Sequence, residues 1–234
     1  GHGDPRAPAH SGRRRERALT RVVIADDHAI VREGIKRILD GQEGIEIAGE
    51  ATNGHEALER VREGGFDILL LDLSMPGRSG IELIKQVKDE SPKTRVLVLT
   101  MHEEDQYAVR AIRAGASGYL TKESAPGQLV SAIRRLAEGR PYISANVAEQ
   151  LALDVQPHGG EEPHRHLSDR EFEVFQLLVN GRSISEIAGQ LHLSVKTVST
   201  HKTRILQKMS ASSVADLVRY AIHHRLTAEP PAKA

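Results

Sequence analysis

Asp72 closes the apolar run Phe66–Asp67–Ile68–Leu69–Leu70–Leu71 and opens Leu73–Ser74–Met75–Pro76–Gly77. A buried strand that ends in a carboxylate sets that carboxylate on the rim of a sheet, where open α/β folds bind their ligands. Asp26 and Asp27 end a second apolar run, Val22–Val23–Ile24–Ala25. Three carboxylates gathered at one rim repel unless a cation joins them. The economical reading is a divalent-metal site with one carboxylate poised as a nucleophile. Thr100 ends a further run, and Gly118–Tyr119–Leu120–Thr121–Lys122 brings an ammonium to the end of another. This inventory suits phosphoryl chemistry. Mg2+ takes oxygen ligands from few carboxylates and several waters. A carboxylate can form an aspartyl phosphate, and metal, lysine and hydroxyl supply the positioning and charge stabilisation that remain.

The elements that must position these groups are legible from periodicity. From Arg21, short apolar runs alternate with helical stripes, the pattern of βα units and a parallel sheet. Strands are expected at Val22–Ala25, Ile45–Glu50, Phe66–Leu71, Val96–Thr100 and Ser117–Thr121, with helices near 28–39, 54–63, 79–90, 104–114 and 126–138. Val31, Ile35, Ile38 and Leu39 mark the apolar face of the first helix, and Leu129, Ile133 and Leu136 that of the fifth. Gly115 and Gly139 are expected to stop the fourth and fifth. Five such units make one doubly wound α/β domain ending near residue 139. The hydroxyl of Thr100 also suits N-capping of the helix that follows, and Tyr119 also suits plain strand packing.

Composition narrows the partners. The chain has 234 residues, with 32 basic and 32 acidic side chains and no cysteine. A chain-wide polycation, a disulfide framework, a thiol nucleophile and Cys-ligated zinc are excluded. No apolar run approaches the ~20 residues that span a bilayer, so no membrane partner and a cytoplasmic location are expected. Residues 1–20, with Arg13–Arg14–Arg15, read as a disordered basic arm without the apolar stretch of a secretory signal. Residues 145–153 suit one more helix. Gln156–Pro157–His158–Gly159–Gly160–Glu161–Glu162–Pro163–His164 then reads as a flexible linker, its histidines solvated.

Beyond the linker the strand pattern vanishes. Residues 167 to 226 read as four short helices, the first opened by the capping box Ser168 and Glu171. Residues 184–209 fit helix, turn, helix. The second helix of that pair holds Lys196, Lys202, Arg204 and Lys208 and no acidic residue between Ser194 and Met209. Such a local basic patch in a neutral chain meets nucleic-acid phosphates. Val195, Val198, Ile205 and Met209 are expected to face the core, leaving Lys196, Ser199, Thr200, Thr203 and Gln207 for a major groove.

With these residues in view, the chain resembles the two-component response regulators of the NarL/FixJ family. The likeness rests on the acidic pair, then Asp72, Thr100 and Lys122 in order. It extends to Leu167–Ser168–Asp169–Arg170–Glu171, Glu173–Val174, Gly181, Glu186–Ile187–Ala188, Lys196–Thr197–Val198 and His201. It implies a flavodoxin-like (βα)5 receiver over 21–139, a linker over 140–164 and a LuxR-type helix-turn-helix domain over 165–226, followed by a disordered tail over 227–234.

The resemblance implies phosphorylation of Asp72 by a sensor histidine kinase, with Mg2+ on Asp26, Asp27, Asp72 and the carbonyl of Ser74. Lys122 would pair with the phosphate, and Thr100 and Tyr119 would switch position. Ser199, Thr200 and Thr203 would approach bases of double-stranded promoter DNA, with Lys196, Lys202 and Arg204 on phosphates. The expected outcome is a homodimer that regulates transcription, formed partly through Val214, Leu217 and Val218, with RNA polymerase as a further partner. The receiver would catalyse only its own phosphorylation and dephosphorylation. Ser74 and His102 occupy positions that tune phosphoryl lifetime in similar proteins. Two departures stand out: Glu123 follows Lys122 where proline is common, and Lys202 replaces a small apolar residue. A constitutive DNA binder with a silent receiver is the alternative, against which the intact acidic set argues. A flavin protein would need a hydroxyl- and Gly-rich loop after the first strand, and a hydrolase of this fold a second Asp at position 74; neither is present.

Overall fold

The computed structural model describes residues 19–75, 80–100, 105–124, 126–153, 162–224 and 226. The basic arm around Arg13–Arg15, Pro76 and Gly77, His102, the linker stretch with His158 and the tail from 227 lie outside them.

The order is β1 (Thr20–Ala25), α1 (Ala29–Leu39), β2 (Ile45–Ala51), α2 (Gly54–Glu63), β3 (Ile68–Asp72), α3 (Gly80–Glu90), β4 (Arg95–Thr100), α4 (Asp105–Arg113), β5 (Gly118–Thr121) and α5 (Pro126–Ala137). After these come α6 (Ala145–Leu153), a 3-10 turn at Pro163–His166, α7 (Asp169–Val179), α8 (Ile184–Gln190), α9 (Val195–Lys208) and α10 (Val214–His223). The five strands pair in parallel in the order β2-β1-β3-β4-β5. The order reverses between β1 and β3, whose carboxyl ends lead into Asp26 and carry Asp72. Ligands of doubly wound folds bind at that reversal.

Side-chain alternation sorts the strands onto two cores. Val22, Ile24, Ile68, Leu70, Leu97 and Leu99 pack with Ile35 of α1 and Leu129 and Ile133 of α5. Val23, Ala25, Leu69, Leu71, Val96 and Val98 pack on the other face, with Leu58 of α2 and Ile81 and Ile84 of α3. Each fully buried Leu or Ile contributes about 1.5–3 kcal/mol. Gly115 and Gly139 follow α4 and α5 at φ +107° and +78°, a backbone that resists L side chains and stops the helices as expected.

The expected linker is structured at both ends. Tyr142 bridges to the edge of β5, its carbonyl accepting the Tyr119 N–H at 3.0 Å. Val147 of α6 is buried against Ala108 and Val109 of α4, with Tyr119 packed beside them. At the other end Pro163–His166 winds into the 3-10 turn, and His164 is 1% exposed. The expectation of a solvated His164 is therefore corrected; its ring is enclosed by Tyr220 and His224.

In the helical domain each helix starts on a serine that caps a backbone N–H: Ser168, Ser183, Ser194 and Ser213. Phe172, Phe175, Ile187, Val198, Ile205 and Leu217 form its centre. Leu217 is fully buried, with Val214 and Val218 packed partly against the same cluster. Val214, Leu217 and Val218, expected at a dimer contact, pack against the core of their own domain in this chain. Those side chains hold α10 to its own domain, and the large apolar side chain that α10 exposes is Ile222.

Candidate functional site

The carboxyl edge of the sheet assembles the predicted chemistry. Lys122, just past β5, places Nζ 2.8 Å from Asp72 Oδ2 and 2.7 Å from Asp26 Oδ2. The Ser74 N–H donates to Asp72 Oδ1 at 3.0 Å, and the Lys122 N–H donates to the Thr100 carbonyl at 2.7 Å. Asp26, Asp72 and Thr100 are all buried. Thr100 ends β4, and the described part of α4 begins at Asp105. Tyr119 lies half-buried in β5, on the face where α4 and α6 meet.

Two carboxylates share one ammonium. Burial pushes the Asp72 carboxyl above its ordinary range, against the pull of Lys122 and the Ser74 N–H; Asp26 pushes it further up. Lys122 is desolvated too, yet its contacts with Asp26 and Asp72 outweigh that and raise it above the usual lysine value. The lysine gains two anions, whereas Asp72 has part of a cation, so both rise.

The residues fit a divalent cation. Ligand atoms of Asp26, Asp27, His28 and Asp72 lie within 4.8 Å of one another. Asp26 Oδ2 and Asp27 Oδ1 are buried oxygens that no aligned hydrogen bond satisfies. Their near neighbours are Lys122 Nζ and, at 2.9 Å, His28 Nδ1. Oxygen donors in this number suit Mg2+. His28 was not foreseen, although it follows the acidic pair directly in sequence.

The second candidate surface is α9. Lys196, Thr200, Thr203 and Arg204 are exposed, and Ser199 and Lys202 are half-exposed. Ser199, Thr200 and Thr203 each donate a hydroxyl to the carbonyl one turn back, at 2.9, 3.0 and 3.1 Å. Their remaining lone pairs and the threonine methyls point to solvent chemistry that base amino groups and thymine methyls complement. Lys208 is different. It bonds Glu171 Oε2 at 2.6 Å and the His166 carbonyl at 3.2 Å, which makes it a tie within the domain.

The structure also joins the two regions through contacts that no sequence spacing foretold. Tyr107 of α4 donates to Glu173 Oε1 of α7 at 2.9 Å. Arg110 donates to the carbonyls of Leu167 and His164, each at 2.9 Å, and lies 4.1 Å over the Phe172 ring. Lys85 of α3 reaches Asp169 at 2.6 Å. The seam therefore holds α7 and leaves the basic face of α9 open.

Comparison with known proteins agrees with this geometry. Residues 22–134 match the family described as "Response regulator receiver domain", and residues 165–221 match "Bacterial regulatory proteins, luxR family". Response regulator UvrY of Escherichia coli K12 is 37% identical over 209 residues, covering 89% of this chain and 96% of that protein. Response regulator GacA of Pseudomonas aeruginosa is 38% identical over 207 residues, covering 88% and 97%. Among solved structures, RcsB of Salmonella enterica serovar Typhimurium, bound to promoter rprA with the phosphomimetic BeF3-, is similar. It shows 30% identity and a TM-score of 0.60, covering 86% of this chain and 98% of that one.

Proposed function

The chain belongs to the NarL/FixJ family of two-component response regulators, a receiver followed by a LuxR-type helix-turn-helix domain, and from that premise we propose that Asp72 accepts a phosphoryl group from a sensor histidine kinase to control DNA binding. One Asp72 oxygen attacks phosphorus, and the bond to the kinase's histidine nitrogen breaks. Lys122 then pairs with the phosphoryl oxygens, and the Thr100 hydroxyl closes on another. Asp26, Asp27, Asp72 and the Ser74 carbonyl would hold Mg2+, which supplies charge neutralisation to the transferring group. The carrying observation is Lys122 bridging Asp26 and Asp72 at the sheet's reversal point. In this reading the receiver acts only on its own phosphoryl group.

The output is transcription. Lys196, Lys202 and Arg204 contact phosphates of double-stranded promoter DNA, and Ser199, Thr200 and Thr203 approach bases. Phosphorylation favours a homodimer that sets two α9 helices one DNA turn apart, with RNA polymerase as the downstream partner and the cytoplasm as the location. No helix among the described residues is long and apolar enough to cross a membrane.

A second reading is DNA binding independent of phosphate. The observation favouring it is the exposure of Lys196, Thr200, Thr203 and Arg204 while the domains are docked. The bonds that dock the helical domain on α3 and α4 are made by α7 and the residues just before it. One experiment separates the readings. The protein is incubated with a small acyl-phosphate donor and Mg2+, and intact mass and operator affinity are measured, with Asp72→Asn as control. A phosphoryl mass increment on wild type alone, with tighter operator binding, supports the first. Equal operator binding before and after labelling supports the second.

A further inference from the structure

We propose that Arg32 is a positioning residue for the acidic pair: it fixes the peptide joining Asp26 to Asp27 and thereby sets the site's affinity for its divalent cation. The inference rests on the phosphoryl-site reading above. Arg32 lies on α1, its side chain 14% exposed. Nη1 donates to the Asp26 carbonyl at 2.8 Å, and Nε donates to Glu50 Oε2 at 2.9 Å. Lys36, one turn further along α1, donates to the other oxygen, Glu50 Oε1, at 2.7 Å. Glu50 at the end of β2 is thus gripped on both sides. Lys36 chiefly, and Arg32 after it, hold its carboxyl below the usual range against the opposing effect of burial.

The Asp26 carbonyl belongs to the rigid peptide plane between the two acidic residues. Sheet pairing on this edge ends here: the Asp26 N–H bonds Ala51 O at 3.1 Å, and Asp26 Oδ1 is taken by the His28 N–H at 2.8 Å. Asp27 Oδ1 has no aligned hydrogen bond of its own. Turning the plane would rotate ψ of Asp26 and φ of Asp27, and so redirect the Asp27 side chain. The Arg32 fork, braced by Glu50, opposes that rotation. Its charge already faces Glu50, so its contribution to the site is one of geometry. A lysine has the charge but no planar fork to span both acceptors.

The test uses the full chain and Mg2+ alone. Calorimetric Mg2+ titration and metal-free hydrogen exchange of residues 26–28 are compared among wild type, Arg32→Ala, Arg32→Lys and Glu50→Gln, with circular dichroism as the check on folding. Both Arg32 variants are expected to bind Mg2+ about tenfold more weakly, the usual effect of removing a group that orients a ligand. Both should also exchange the His28 amide faster before metal is added. Glu50→Gln, which keeps an acceptor, should show a smaller change in the same direction and decides the matter if Arg32→Ala does not fold. Wild-type affinity in Arg32→Ala overturns the proposal. Wild-type affinity in Arg32→Lys alone also overturns it, because charge and not orientation would then be the cause. Failure of wild type to bind Mg2+ would count against the phosphoryl-site reading, while the metal-free exchange rates would still decide whether Arg32 holds the acidic pair in place.

Discussion

Tyr107 and Glu173, 66 residues apart, meet through a 2.9 Å hydrogen bond from the phenol to the carboxylate. Glu173 is 7% exposed, and its other oxygen accepts from Arg170 at 2.6 Å. Burial pushes its carboxyl up, with Arg170 and Tyr107 pulling the other way. Gly80, opening α3 at φ +68°, faces the same carboxylate so closely that a Cβ has no room. The contact matters because of where α3 and α4 begin: each follows the segment that leaves Asp72 or Thr100. A change at the acidic site has a short covalent route to the seam that holds α7.

Tyr107→Phe removes the phenol donor to Glu173 and leaves a buried carboxylate short of one bond. The expected cost is about 1.5–3 kcal/mol, as for hydrogen bonds to charged groups. Urea unfolding of the full chain checks the energy, and small-angle scattering checks that the particle becomes more extended. An unchanged scattering profile would mean that Arg110 and Lys85 hold the seam without it.

Asp72→Asn should stabilise the fold at neutral pH while abolishing phosphoryl uptake. The folded-state carboxyl lies above its ordinary value of 3.8 because of burial. The folded chain therefore binds more protons across that interval, and stability falls as pH rises through it. Above the interval the ionised, buried Asp72 is a net cost that asparagine removes. Melting curves at pH 7 should show a Tm higher by a few degrees, and a lower Tm would contradict the argument.

His164 predicts loss of stability in acid. Burial, with Arg110, Arg165 and His224 adding to it and Glu162 opposing, lowers its pKa from 6.5 to about 4. The unfolded chain takes up the proton first, so the stabilisation present above pH 6.5 is lost as pH falls towards 4. The full effect is about 3 kcal/mol at the lower limit. Nδ1 lies 2.9 Å from the Tyr220 hydroxyl, and His164→Gln offers a comparable polar group without the titration. The variant should lose less stability than wild type between pH 6.5 and 5, measured by thermal melts.

Two substitutions on the helical domain separate core from DNA face. Leu217→Ala should cost about 2–5 kcal/mol by leaving a cavity, measured by denaturant unfolding. Lys196→Ala should leave stability unchanged, weaken operator and random DNA alike, and lower the salt dependence of binding by about one phosphate. A loss confined to the operator would instead place Lys196 on a base.

The order of elements, the parallel sheet and the acidic rim were written in local pattern. Strand ends such as Asp72 and stops such as Gly115 and Gly139 act through their immediate neighbours, so spacing alone reveals them. The same holds for the serine that opens each helix of the second domain. Leu217 shows the limit. Its position on an apolar stripe says that it packs, while the packing of α10 on α7 decides against what. Arg32 reaches the Asp26 carbonyl only because β2 lies beside β1 and brings Glu50 to it. Tyr107, Arg110 and Glu173 carry no periodic signature either. Their roles arise from the docking of two domains, and a contact made across many residues of chain leaves no regular spacing to read.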